Sequence, residues 1–141
     1  MRKFLFFVLI SAFTFSCSSN KATLKAKIEG LKKGEVVLKV LEINTQKIVD
    51  TLKTDENGLL KYSAKIEGKA PNFYFLYYKE KKIASMVVLP GDNIYITTDT
   101  LGANQNIEGS QESILFLEIE KNLSLATAKF DSLSALRAQA V

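Results

Sequence analysis

Residues 21–30, KATLKAKIEG, indicate the fold class of this chain because polar and apolar side chains alternate along them. Leu24, Ala26 and Ile28 fall on one side of an extended chain, and the charged side chains between them fall on the other. A strand with one buried and one solvated face is typical of an antiparallel sheet. Gly30 ends the run and predicts a turn.

Similar segments follow at short intervals along the chain, each bounded by turn residues. The Asn57–Gly58 pair predicts a tight hairpin turn because it readily adopts positive φ angles. The predicted strands cover residues 35–43, 48–52, 60–66, 73–78, 83–89 and 94–98, with a short edge piece at 106–107. The sequence therefore predicts a mainly β protein, an antiparallel β-sandwich or barrel-like sheet of about 7–8 strands.

Past Gly109 the apolar spacing becomes helical, and Ser110 is placed to cap the first turn. This predicts one long C-terminal amphipathic α-helix. Two interpretations stay open: the helix packs across its own sheet, as most amphipathic helices do, or it binds a protein partner absent from this chain. Its apolar stripe has the three-four spacing of a single face and consists of Phe116, Ile119, Leu123, Ala126, Phe130 and Leu133.

The N-terminal segment is typical of an export signal. Arg2 and Lys3 form a basic start, and residues 4–15 are predominantly apolar. This apolar run is shorter than the roughly 20 residues that a membrane-spanning helix needs. Cys17, the only cysteine, follows closely, and the layout resembles the lipobox of bacterial lipoproteins. We expect a signal peptide over residues 1–16 and a lipid on Cys17.

Ordinary secretory cleavage is the alternative at this boundary, and it would leave a soluble protein with an unmodified thiol. Thr14 and Phe15 stand where a lipobox usually has a leucine and a small residue. The lipid interpretation is favoured because a sole cysteine at this boundary would otherwise be a coincidence. Ser18 and Ser19 lack the aspartate of inner-membrane retention signals, so by resemblance the expected location is the bacterial cell envelope, lipid-anchored, at the outer membrane facing the periplasm.

These observations divide the chain into four predicted segments. Residues 1–16 form the signal peptide, and residues 17–22 form a lipidated tether. Residues 23–109 form the β domain. Residues 110–141 form the amphipathic helix, which also suits a connector to a domain missing from this chain.

The composition argues against several kinds of function. The chain has no histidine, so the commonest general base and the commonest metal ligand are both missing. The formal net charge is only +4, and lysines such as Lys25, Lys27, Lys61 and Lys65 alternate with apolar residues instead of clustering in sequence. We therefore expect no catalytic residues, no cofactor, no metal and no nucleic-acid partner, unless the chain is part of a longer oxidoreductase.

The aromatic run of residues 73–78 has two interpretations. Its Tyr74 and Tyr78 face could form a platform on which a sugar ring stacks. The alternative is a central strand buried on both sides, which this aromatic composition also favours.

Three hydroxyl residues that each follow an aspartate resemble the acceptor triplet of an envelope O-glycosylation system. They are Thr51, Thr100 and Ser132. The alternative is plain turn and cap chemistry, in which the aspartate binds nearby backbone amides.

Turn motifs along much of the chain resemble those of a known family. They include Ile28-Glu29-Gly30, Asp55-Glu56-Asn57-Gly58, Pro71-Asn72-Phe73-Tyr74, Leu89-Pro90-Gly91-Asp92 and Ile107-Glu108-Gly109-Ser110. The family is the β-rich domain of unknown function found near the N terminus of bacterial envelope lipoproteins that continue into a thioredoxin-like domain.

The resemblance implies a fold more securely than an activity, since its motifs are turns. The redox chemistry of such relatives belongs to the later domain, whose Cys-x-x-Cys pair is absent here. The expected function is a lipid-anchored, non-catalytic binding or scaffolding domain of unknown ligand. The alternative is the N-terminal region of a thioredoxin-like thiol-disulfide oxidoreductase lipoprotein.

Overall fold

The structure, a computed structural model, describes residues 20–139. The predicted signal peptide and the lipidation site Cys17 lie outside the described residues. Eight strands and one helix are formed within the described part: β1 (Lys21–Glu29), β2 (Glu35–Glu42), β3 (Thr45–Lys53), β4 (Leu59–Lys65), β5 (Asn72–Tyr78), β6 (Lys81–Val88), β7 (Asn93–Asp99), β8 (Asn106–Glu108) and α1 (Gln111–Gln139).

The strands form two four-stranded sheets. Sheet A has the order β4-β1-β7-β8, and sheet B has the order β3-β2-β5-β6. All neighbouring strands are antiparallel except β1 and β7, which are parallel. The predicted mainly β fold with one long C-terminal helix is confirmed.

The core lies between the two sheets, because the alternating apolar residues of each sheet face the other. Sheet A contributes Ala26 and Ile96, and sheet B contributes Leu38, Leu76 and Met86, all with no exposed surface. Burying side chains of this size stabilises the fold by roughly 1.5–3 kcal/mol each. The apolar residues that occur at every second position of the strands are thus the residues that form this core.

The turn at Asn57–Gly58 is not a hairpin, contrary to the prediction. Gly58 does have a positive φ of 77°, but β3 pairs with β2 whereas β4 pairs with β1 in the other sheet. The Gly58 carbonyl accepts the amide of Ile28 at 2.8 Å, and a Cβ on Gly58 would lie 2.5 Å from the Ile28 carbonyl oxygen. The turn therefore crosses between sheets, and the close approach requires glycine.

Helix α1 packs on the sandwich only through its first turns, so the predicted packing across the sheet is wrong for most of its length. Ser110 caps it as expected, with its hydroxyl accepting the Ser113 amide at 3.3 Å. Ser113 and Leu117 are buried, but every residue from 121 to 138 is exposed.

The start of β1 and the exposed part of α1 lie at opposite ends of the sandwich. The amide of Gly91, in the turn between β6 and β7, donates to the Lys21 carbonyl at 3.1 Å, which places the start of β1 beside the end of β6. Helix α1 begins at this same end, where Ser113 contacts Val87. It then runs along β6 to Lys82 at the other end and continues beyond it.

Candidate interaction surfaces

Helix α1 carries a continuous apolar stripe that begins at its base and continues along its exposed part. This stripe, here called the seam, is formed by Phe116, Ile119, Leu123, Ala126, Phe130 and Leu133. Its spacing alternates between three and four residues, which is the heptad pattern of helices that pair. At about 100° per residue these positions share one side of the helix. Leu123 and Phe130 are 66% and 70% exposed.

The sandwich leaves most of the seam uncovered. Phe116 packs edge to face on Phe73 of β5, whereas Ile119, Phe130 and Leu133 are more than half exposed. Ser113 and Leu117, which are buried against the sheets, lie roughly 110–150° around the helix from the middle of the seam. Leu123 and Leu125, with Lys121, Ser124 and Ala128, line an open groove beside the loop that follows β7.

Side chains hold the first turns of α1 firmly against the edge of β6. The Ser113 hydroxyl donates to the Val87 carbonyl at 2.6 Å and accepts the Val87 amide at 3.0 Å. The Gln105 side chain similarly accepts the Ser85 amide at 3.4 Å and donates to the Ser85 carbonyl at 2.9 Å. These contacts satisfy backbone groups that an edge strand would leave without partners.

Two further contacts fix the direction of the helix. The rings of Phe73 and Phe116 meet edge to face with centroids 5.4 Å apart. Glu120 forms an ion pair with Lys82 at 2.6 Å and accepts the Ser85 hydroxyl at 3.2 Å. The exposed part of α1 thus projects from a rigid base.

A second surface consists of lysines on the outer face of sheet A, and sequence analysis missed it. This lysine face is formed by Lys25 and Lys27 of β1 with Lys61 and Lys65 of β4. The β1–β4 register places Lys25 directly opposite Lys61. Like charges placed this way destabilise a sheet. The lysines alternate along each strand as expected, but strand pairing gathers them.

None of the four lysines of the lysine face forms an ion pair within residues 20–139. The ion pairs of the described chain involve other lysines, namely Lys33, Lys47, Lys53 and Lys82. An open depression of about 700 Å³ lies on this face, lined by three lysines, Lys25, Lys53 and Lys61, and by one carboxylate, Asp55. Its charge suits a partner that carries phosphate groups or other anions.

The predicted sugar platform is not supported by the position of Tyr74. Its ring is only 7% exposed and belongs to the core, so neither ring face is available for stacking. Tyr78 is half-buried and packs against the same core. Burial raises the pKa of Tyr74, and burial followed by the charge of Asp50 raises the pKa of Tyr62. β5 lies between β2 and β6, as the central-strand interpretation expected.

The aspartate before Thr100, Asp99, stabilises a turn by accepting hydrogen bonds from backbone amides. Asp99 Oδ1 accepts the amides of Leu101 at 2.7 Å and Ala103 at 3.1 Å, and Oδ2 accepts the amide of Asn104 at 3.2 Å. These hydrogen bonds, first that of Ala103, lower the pKa of Asp99. The carboxylate organises the loop between β7 and β8.

The other two glycosylation candidates lie on exposed elements. Thr51 is exposed on β3, and its amide donates to Asp50 Oδ1 at 2.8 Å. Ser132 is exposed on α1, and its hydroxyl donates to the Lys129 carbonyl at 2.8 Å. Glycosylation of Thr51, Thr100 and Ser132 stays a prediction.

Neither a metal-binding cluster nor a membrane-spanning helix is found in the described part of the chain. Among residues 20–139, no three acidic, histidine or cysteine side chains come together in a way that could hold a metal ion. Over the same residues, no helix combines the length and the apolar character that crossing a membrane requires.

Comparison with known proteins identifies one family. The model of DUF4369, a domain of unknown function, matches residues 22–116. The match begins in β1 and ends in the second turn of α1, so it includes the whole sandwich and the buried base of the helix. None of the curated proteins compared matches the chain.

Proposed function

The chain belongs to the DUF4369 family, a domain of unknown function, and we propose that it serves as a lipid-anchored, non-catalytic adaptor of the bacterial cell envelope. In this proposal the sandwich is a rigid support. It joins a membrane anchor at its N-terminal end to a protein-binding helix that leaves its other end.

The outward seam of α1 is the observation that carries the binding role. Most of the stability of a protein helix comes from packing an apolar face, and residues 121–138 of α1 are exposed on every side within the described chain. Contiguous apolar patches on soluble proteins mark interaction sites. The seam is such a patch, because Ile119, Leu123, Phe130 and Leu133 are each more than half exposed.

The anchor at Cys17 is supported by the geometry of the nearby end of the sandwich. Cys17 lies four residues before the start of β1 at Lys21, so an extended tether reaches at most about 14 Å. A lipid there would hold the start of the lysine face close to the headgroups. Ile43, at the β2–β3 turn, is 95% exposed and lies at this same end.

Metabolic labelling tests the anchor and its location. Cells fed an alkyne palmitate should label the wild-type chain but not the Cys17→Ala variant, and the labelled chain should fractionate with the outer membrane. A wild-type chain that stays unlabelled and leaves the cells in soluble form contradicts the anchor.

Photo-crosslinking tests the binding role. A benzoylphenylalanine placed at Leu123, on the seam, should form a protein adduct in intact cells. The same residue at Leu125, which is 62% exposed but lies off the seam, is the matched control. Reaction at neither position, or equally at both, would refute the adaptor role.

A second candidate function is the N-terminal region of a thioredoxin-like thiol-disulfide oxidoreductase lipoprotein. The exposed length of α1 favours it, since a connector to another domain would also leave the first sandwich. Genomic sequence downstream of Val141 decides between the two: an in-frame Cys-x-x-Cys domain supports the oxidoreductase, and an immediate stop codon supports the adaptor.

A further inference from the structure

We infer that the seam of α1 pairs with the seam of a second copy of this chain, with the two helices antiparallel. This inference rests on the proposed function and names the partner of the same surface. Three properties of the helix support it: the fit of large against small side chains, the charges at its two ends, and the apolar area available.

The seam is complementary to itself in one antiparallel register. When two copies are aligned about the middle of the seam, Leu123 of each lies opposite Ala126 of the other, and Ile119 lies opposite Phe130. A large side chain then faces a small one in the two central layers, which is packing that fills a helix interface without voids. The sandwich leaves the seam accessible to a second helix from Ile119 onward, because each seam residue from that position is exposed.

The charges at the ends of the helix favour the antiparallel direction. The same register places Glu112, at the start of α1, opposite Arg137, near its end. Both residues continue the heptad spacing of the seam. A parallel pair would instead place each Arg137 against the other. Opposite charges at the two ends of paired helices favour one direction even where they add little energy.

The apolar area is sufficient for a stable contact. Five large side chains per copy are more than half exposed on this side of the helix, and at about 100 Å² each a pair would bury on the order of 1,000 Å², which reaches the area expected of a specific interface. They are Leu115, Ile119, Leu123, Phe130 and Leu133.

Cysteine crosslinking in membranes tests both the partner and the direction. The full chain carrying Ile119→Cys and Phe130→Cys is treated with a bis-maleimide that spans about 8 Å, comparable to the distance between packed helix axes. We expect a crosslinked dimer from this double variant and at most a tenth as much from either single variant, since like positions lie about 16 Å apart along an antiparallel pair. The unsubstituted chain controls for reaction through Cys17.

The double variant Lys121→Cys with Ala128→Cys is the matched control. Its cysteines lie at the same heights in this register but on the side of the helix that faces the sandwich, so they should not crosslink. Dimers from the single variants Ile119→Cys and Phe130→Cys would overturn the antiparallel direction in favour of a parallel pair.

Charge exchange gives an independent test of the register. Glu112→Arg or Arg137→Glu alone should lower the yield of the Ile119–Phe130 crosslink severalfold, and the two together should restore it. Leu123→Asp should reduce the yield at least tenfold, whereas Leu125→Asp should not. Failure of the double exchange to restore the yield contradicts the register.

The photo-adduct at Leu123 and the cysteine crosslinks together distinguish pairing of two copies from the adaptor role. A Leu123 photo-adduct with twice the mass of the chain supports pairing of two copies. An adduct with a different protein, together with absent cysteine crosslinks, overturns the pairing but leaves the adaptor role standing. No adduct and no crosslink would remove both.

Discussion

Ser113 is the residue on which the attachment of α1 depends most. It has no exposed surface, and its single hydroxyl satisfies both the amide and the carbonyl of Val87. Water cannot replace it without opening the contact between helix and strand. Sequence reasoning identified Ser110 as the cap but had no signal for Ser113, because its partner is 26 residues away.

Replacing Ser113 with alanine should lower the free energy of unfolding by about 2 kcal/mol, because two buried backbone groups lose their partner. Urea unfolding followed by circular dichroism measures the change. Ser124→Ala, at an exposed position of the same helix, should change stability by less than about 0.5 kcal/mol. Equal effects of the two substitutions would show that Ser113 does not hold the helix.

Asp99 organises the loop between β7 and β8. Because of this carboxylate, the free energy of unfolding should depend on pH. Its pKa is lowered from 3.8 in the folded state by the loop amides, Ala103 first. The folded state therefore favours the ionised form, so the stabilisation is present above pH 3.8 and is lost as the pH falls through the lowered pKa.

Asp99→Asn should remove this acid-dependent part of the stability. Unfolding free energies measured from neutral pH down through 3.8 should fall more steeply for the wild-type chain than for the variant. Asp131→Asn, on the exposed part of α1, serves as the control and should keep the wild-type slope. A variant as acid-sensitive as the wild type would mean that other carboxylates dominate.

At the scale of elements, the positions of the strands were predicted well, but the pairing of the strands was not. The alternation of apolar residues located all eight strands to within a few residues. The hairpin expected at Asn57–Gly58 failed because a turn sequence specifies a local φ angle but not the sheet that the next strand joins. The β4 strand pairs with β1, and that choice depends on the common core.

The lysine face is a property of paired elements and predicts binding to anionic lipid headgroups. The chain from residue 18 onward, without lipid, should bind vesicles containing phosphatidylglycerol and not vesicles of phosphatidylcholine alone. Reversing Lys25 and Lys61 to glutamate should weaken binding by about tenfold or more, since each lysine near such a surface contributes roughly 1 kcal/mol.

Lys39→Glu with Lys47→Glu on sheet B is the matched control for that measurement, because it makes the same change in net charge on the other sheet. Added salt should abolish the binding of the unsubstituted chain. If both double variants lose binding equally, net charge and not the lysine face is responsible.

At the scale of the whole molecule, the sandwich separates the predicted anchor from the proposed binding surface. Its N-terminal end lies next to the predicted anchor, and α1 leaves from the other end. A tether of about 14 Å at most cannot bring the anchor to the far end of the helix. The seam is therefore held clear of the predicted lipid attachment point, and a second protein can reach it there without contacting the membrane anchor.

The sequence by itself determined the fold class, the strand positions, the capped helix and the apolar stripe along it, because these follow from local spacing of side chains. Only the tertiary structure decided which way the stripe faces, that Tyr74 is core, and that the lysines of β1 and β4 form one face. These outcomes depend on contacts between residues distant in the chain. The spacing of apolar residues in the sequence determines that an element has an apolar face, whereas tertiary packing decides what covers that face.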